Sequence, residues 1–250
     1  MIVAMTVFSK ITNSLRKRGL IATVVFVLYV AWRRSTHYPR IFIEQINERQ
    51  FDRKWGVRTS GRKQPSGQPD LNHHASIYQG TSAEVFEAIL SASNIDPAKY
   101  VFIDLGCGMG RVLLLAAAHS FKAVIGVEYD QGLAQIAETN LRKKGYYLAD
   151  ARNSVICADA GEYSLPDEDV VIYLYNPFES EVMRRALKNI CTPSSKKRYI
   201  IYYHPVLASE LFDNSPHLEL IQNGPTIFGR PKFAFYKVTS LVSTTELDRF

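Results

Sequence analysis

A chain of 250 residues, 46% hydrophobic and 22% charged, has room for one substantial domain plus an N-terminal extension, and this composition excludes wholesale disorder. The net charge of +6 is unevenly spread: residues 1–70 hold 13 Lys/Arg against 4 Asp/Glu, and residues 71–250 hold 17 against 20. The larger part of the chain is therefore slightly acidic, which disfavours nucleic acid as a partner because phosphate contacts dominate that affinity. Cys107, Cys157 and Cys191 are widely spaced and form no CxxC pair, so neither a metal site nor a disulfide framework is expected.

Leu20 to Trp32, LIATVVFVLYVAW, is a run of 13 uncharged residues between Arg16-Lys17-Arg18 and Arg33-Arg34. As a helix it reaches about 20 Å, against roughly 30 Å of hydrocarbon. Snorkelling arginines and local thinning narrow that gap, so a short membrane anchor and a buried or interfacial helix both stay open. A secretory signal fits worst, because no small-residue cleavage site follows before Arg33. We take residues 1–40 as a basic, apolar helical arm. From Ile41 to Lys54, Ile43 and Ile46, followed by Phe51 and then Trp55, recur at helical intervals among charges and predict an amphipathic helix. Ser60 to Asp70, rich in Gly, Pro and Ser, reads as a linker, so residues 41–75 form a connecting region.

The main domain is expected over 76–240, with a tail at 241–250. YVFIDL (Tyr100–Leu105) is an apolar run of the kind buried in parallel sheets, and Arg111 to His119 reads as a helix. AVIGVE (Ala123–Glu128) predicts a second strand, followed by a helix from about Gln131 to Lys144. Further strands are expected at Asn153–Asp159, Asp169–Pro177 and Arg198–Pro205, with a helix at Glu179–Cys191. A helix near Leu207–Phe212 precedes strands at Leu218–Gln222 and Phe233–Val238. This alternation implies a mostly parallel sheet with helices on both faces, and the last pair, lacking a helix between them, implies an antiparallel edge.

The first strand ends in Asp104-Leu105-Gly106-Cys107-Gly108-Met109-Gly110. Glycines at a strand's carboxyl end let the backbone turn tightly and approach a ligand, and the helix that follows offers free N–H groups. A dinucleotide turn, GxGxxG, would need glycine where this chain has Arg111. Glu128 closes strand two, where a carboxylate can accept both hydroxyl protons of a ribose. Asp159 follows strand three, where it can receive an amino group of a base. Each acid alone is as well explained as a helix cap or turn acid. Three at successive strand ends, on one rim, point to a nucleoside-bearing ligand.

The ordered series VFIDLGCGMGRVLLLAA, VIGVE, CADA and YNPF resembles the motifs of class I S-adenosylmethionine (SAM) dependent methyltransferases. It is most similar to small, mostly bacterial members of unassigned substrate, which also carry a segment like Phe51-Asp52-Arg53-Lys54-Trp55-Gly56-Val57. The resemblance covers about residues 50–240. It implies a Rossmann-like α/β fold with seven strands, the last antiparallel. By the same resemblance Gly106, Gly108 and Gly110 face the methionine part of SAM with Asp104 nearby, Glu128 binds the ribose, and Asp159 with Ala160 lies against the adenine. It also implies that Tyr78-Gln79-Gly80-Thr81-Ser82 closes over the cofactor, with Tyr78 and Thr81 as binding residues. Thr81-Ser82-Ala83-Glu84 equally has the form of a capping box opening a helix over Ala83–Leu90, in which Thr81 only caps.

Asn176-Pro177-Phe178 follows strand four, where the methyl should point. The Asn176 oxygen and the Pro177 carbonyl can accept the protons of an amino group, with Phe178 packed on a flat acceptor. These three are the candidate catalytic residues; a strand-ending turn with Pro and Phe in packing roles is the alternative. His204, before Pro205 at the end of strand five, is a candidate base, with a capped structural histidine as the favoured alternative. The expected activity is methyl transfer to a nitrogen of a protein side chain or small molecule, from the cytoplasmic side, with membrane contact through residues 20–32. A tethered SAM sensor without turnover and a nicotinamide-dependent oxidoreductase are the competing functions.

Overall fold

A computed structural model describes residues 48–61, 80–146, 152–175, 178, 180–205, 208–227 and 230–239. The chain divides into two units, Met1–Gln50 and Phe51–Phe250. The apolar run 20–32, residues 62–70 of the Ser60–Asp70 linker, Tyr78, Asn176, Pro177 and the 241–250 tail lie outside the described residues. Among the described residues, no helix is long and apolar enough to cross a membrane.

The elements, in chain order, are α1 (Ala83–Ser93), β1 (Val101–Leu105), α2 (Arg111–Ala117), β2 (Ala123–Glu128), α3 (Gln131–Lys143), β3 (Asn153–Cys157), β4 (Val170–Tyr175), α4 (Ser180–Ile190), β5 (Arg198–Tyr203), α5 (Ser209–Asp213), β6 (Leu218–Asn223), β7 (Thr226–Ile227), β8 (Arg230–Pro231) and β9 (Phe233–Val238). Seven strands form one sheet in the order β3-β2-β1-β4-β5-β9-β6, and β7 and β8 pair in a separate two-stranded sheet. β1 to β5 pair in parallel; β9 runs antiparallel to both β5 and β6. The reversed strand expected at the end of the chain is β9. It lies one strand inside the edge, because the direct return from β6 brings β9 back alongside β5.

β1 and β4 are buried at nearly every position, as their uninterrupted apolar runs require when helices cover both faces. On one face Phe102, Val124, Val171, Tyr173 and Ile201 pack with α1, α2 and α3. On the other, Ile103, Leu105, Ile172, Leu174 and Ile200 pack against α4 and Phe212 of α5. Val182, Met183, Ala186, Leu187 and Ile190 form the buried stripe of α4 at helical spacing. Each fully buried large side chain there contributes about 1.5–3 kcal/mol relative to exposure.

α1 is longer than the predicted Ala83–Leu90, and its cap is Ser82 rather than Thr81: Ser82 Oγ accepts from the Val85 N–H at 3.3 Å. Asn94, left-handed at φ 51°, closes its far end. α2 stops at Ala117, two residues before the expected His119, where the chain turns into β2.

Candidate functional site

β1 lies between β2 and β4, and the connections leaving β1 and β4 run to opposite sides of the sheet. This is the topological switch point at which open α/β sheets bind ligands beyond the strand carboxyl ends. The turn after β1 is held from β2: the Gly106 and Cys107 N–H groups donate to the Val127 carbonyl at 2.8 and 3.1 Å. Gly106, Gly108 and Gly110 sit at φ 84°, 54° and 80°, a left-handed conformation that side chains disfavour. Gly110 is the N-cap of α2 and provides no side-chain cap, so the first amides of that helix are left for other acceptors.

Two acids converge on this turn. Glu128 is buried; its Oε2 accepts the Gly108 N–H and its Oε1 the Asp130 N–H, both at 2.9 Å. Burial raises its pKa, opposed by those backbone hydrogen bonds. Asp130 caps α3 through the Leu133 N–H at 2.8 Å. Asp104 is 4% exposed, and its carboxylate makes no hydrogen bond with any described residue. Burial, and secondarily the Glu128 charge, hold it well above the usual carboxylate range. A buried carboxyl beside a second carboxylate favours a cationic group as its partner. An α-ammonium supplies one, and the Glu128 carboxylate can accept from a ribose hydroxyl. The residues present fit SAM.

Asp159 and Ala160 occupy the rim after β3. Asp159 Oδ1 accepts the Gly161 N–H at 2.8 Å, and Oδ2 pairs with the Arg185 guanidinium of α4 at 2.9 Å. The Asp159 carboxylate is thus already engaged by its own turn and by a cation. Ala160 is buried against the α4-side core.

On the other side of β1, Thr81 Oγ1 and the Tyr173 hydroxyl share a buried hydrogen bond at 2.9 Å. Tyr173 pairs in register with Asp104. Above it, Tyr175 and Tyr203 close β4 and β5 as register partners, their rings 4.6 Å apart. His204 follows, exposed, with its ring 6.5 Å from Tyr175 and 6.3 Å from Tyr203. Its φ of 52° is uncommon for a residue with a Cβ, and its N–H donates to the Lys232 carbonyl at 2.8 Å. Phe178 is buried in the core beneath α4, a placement that matches the packing alternative for this residue. Tyr78, Asn176 and Pro177 belong to the undescribed residues.

Behind the turn lies a cluster that the sequence reading did not assign. Arg111 is buried; its Nε donates to Thr59 Oγ1 at 2.8 Å and its Nη2 to the Thr59 carbonyl at 3.1 Å. Asn140 of α3 donates to the Met109 and Arg58 carbonyls. The signal was present in Arg111 itself, since an arginine inside a Leu/Ala helix start needs buried acceptors.

The sheet order and the switch-point turn define a Rossmann-like α/β fold. Residues 102–192 match a family described as a methyltransferase domain. An Escherichia coli protein proposed to be a methyltransferase, yhhF, has a similar structure, with a TM-score of 0.50 and 13% identity, covering 72% of this chain and 100% of that one. A SAM-dependent O-methyltransferase of Thermotoga maritima is similar at a TM-score of 0.50 and 15% identity, over 66% of this chain and 69% of its own. No curated protein sequence matches the chain. The methyltransferase-domain match covers the stretch from β1 to the end of α4, and the solved structures share the Rossmann-like fold around it.

Proposed function

We propose that this enzyme methylates a nitrogen of a protein side chain or small molecule, presented at the carboxyl ends of β4 and β5. In this reading Asp104 receives the α-ammonium of SAM, Gly106, Gly108 and Gly110 admit its methionine part, and Glu128 binds its ribose. Asp159 with Ala160 borders the adenine, and Tyr78 and Thr81 close the other side. Bound SAM supplies an electrophilic methyl group on its sulfonium.

The acceptor assignment rests on the rim of Tyr175, Tyr203 and His204 beside the switch point. Aromatic faces attract an ammonium while it is charged. The same nitrogen must lose a proton before its lone pair can form the new bond to carbon, and the exposed His204 imidazole stands on that rim to take it. Asn176 and the Pro177 carbonyl, which follow β4 directly in sequence, orient the amino protons. Phe178, the next residue in sequence, is buried in the core. Residues 20–32 bring the domain to a membrane from its cytoplasmic side.

The test is transfer of tritiated methyl from SAM into fractionated extract, by wild type and by Asn176→Ala. Alkali-stable label in protein or small molecules, reduced by the substitution, is the expected result. Alkali-labile methyl esters or label confined to nucleic acid would overturn the acceptor assignment. Tight binding of S-adenosylhomocysteine with no product in any fraction would instead indicate a sensor.

A further inference from the structure

Asn140 and Arg111, both nearly inaccessible, join residues 51–60 to the back of the glycine turn. Asn140 Nδ2 donates to the Met109 carbonyl at 2.9 Å and to the Arg58 carbonyl at 2.8 Å, while its Oδ1 accepts the Arg58 N–H at 3.0 Å. One side chain therefore holds a carbonyl inside the turn and both backbone groups of the segment. Arg111, the next residue after Gly110, reaches Thr59 twice and lies 5.0 Å over the Phe51 ring, with Asp52 Oδ1 at 3.9 Å.

The segment is itself tied into one piece. Asp52 accepts the Thr59 N–H at 2.8 Å, the Thr59 hydroxyl at 2.6 Å and the Ser60 N–H at 2.8 Å. The Phe51 and Trp55 rings stack at 5.0 Å, and Lys144 lies 5.3 Å over Trp55. The guanidinium also packs against the approach to Thr81: a Cβ at Gly80 would meet Arg111 Cζ at 2.8 Å and push the guanidinium aside.

We infer that residues 51–60 brace the cofactor turn from behind, with Asn140 and Arg111 as positioning residues that set SAM affinity without touching SAM. A turn of three left-handed glycines is conformationally loose, and any ordering left until binding is subtracted from affinity. Holding the Met109 carbonyl and the start of α2 in the free protein removes that cost. This rests on SAM occupying the turn.

The experiment compares Asn140→Ala with Leu141→Ala in the full chain. Leu141 is its fully buried neighbour on α3 and makes no bond to the turn. Asn140→Ala should weaken S-adenosylhomocysteine binding about tenfold, as loss of buried hydrogen bonds predicts. It should also speed amide exchange at Gly106, Cys107 and Gly108 in the ligand-free protein. Leu141→Ala should lower the melting temperature at least as much yet shift affinity less than about twofold, since its cost is a core cavity. Asp52→Asn, which weakens the brace from its other end, should follow Asn140→Ala. Unchanged exchange and affinity in Asn140→Ala would overturn the brace. Faster exchange in a protein whose wild type ignores S-adenosylhomocysteine would support the brace and overturn the cofactor placement instead.

Discussion

Replacing Asp104 with Asn should stabilise the ligand-free protein and weaken its hold on SAM. The carboxyl is 4% exposed, makes no hydrogen bond among the described residues, and is pushed up in pKa by burial and by Glu128. A carboxyl with a raised folded-state pKa holds a proton that the unfolded chain releases. Its contribution to stability is therefore complete below the ordinary carboxylate range and is lost as pH rises through the folded value. At neutral pH the isosteric amide removes that burden, a gain of about 1–3 kcal/mol. For a domain of this size each kcal/mol raises the melting temperature by about 2–4 °C. The gain should grow as pH rises above the ordinary carboxylate range, as a thermal melt series would show.

The same substitution deletes a charge-assisted bond to the SAM ammonium, costing about 1.5–3 kcal/mol, or roughly tenfold to a hundredfold in Kd. Wild-type affinity should rise with pH, because binding the ammonium requires Asp104 to release its proton to solvent, and the Asn variant should lose that slope. Lower stability at every pH with affinity retained would refute this reasoning and make Asp104 a structural acid.

Glu128→Gln can accept only one of the two backbone N–H groups that the carboxylate holds and sets an amide donor against the other. S-adenosylhomocysteine affinity should fall at least about tenfold, and the preference of wild type for the ribose over its 2′-deoxy analogue should disappear in competition binding. Thr81→Val strands the buried Tyr173 hydroxyl and should destabilise by about 1–3 kcal/mol in denaturant unfolding, with Thr81→Ser restoring most of it. Gly126→Ala would drive a Cβ into the Leu113 side chain and to 2.7 Å from Cys107 Sγ. Circular-dichroism melts should show a loss of about 1–3 kcal/mol, the usual cost of overpacking.

The strands and helices of the main domain were legible because their signals are local and agree with one another. VFIDL and VVIYLY are apolar without alternation, as strands buried on both faces must be, and the α4 stripe repeats at helical spacing. The turn was legible from its glycines and from Arg111 standing where a dinucleotide fold needs glycine. What stayed hidden depended on long-range partners. Thr81 and Ser82 are both good caps, and only the Tyr173 hydroxyl, far along the chain, decides that Thr81 faces the sheet and Ser82 caps. Asp159 reads as a free rim acid until Arg185 of α4 arrives beside it. The link from Asn140 to Arg58 spans 82 residues and leaves no periodic trace. The short β7–β8 pair fell in a stretch too brief for alternation to register.

The central claim is that SAM is held by the turn between Asp104 and Arg111. Calorimetric titration with S-adenosylhomocysteine and with NAD, on wild type and Gly108→Asp, tests it most directly. Wild type should bind S-adenosylhomocysteine and ignore NAD, and Gly108→Asp should bind neither while keeping the wild-type circular-dichroism spectrum, because the new side chain and charge fill the turn beside Glu128. Binding of NAD by wild type, or undiminished S-adenosylhomocysteine affinity in a folded Gly108→Asp protein, would contradict it.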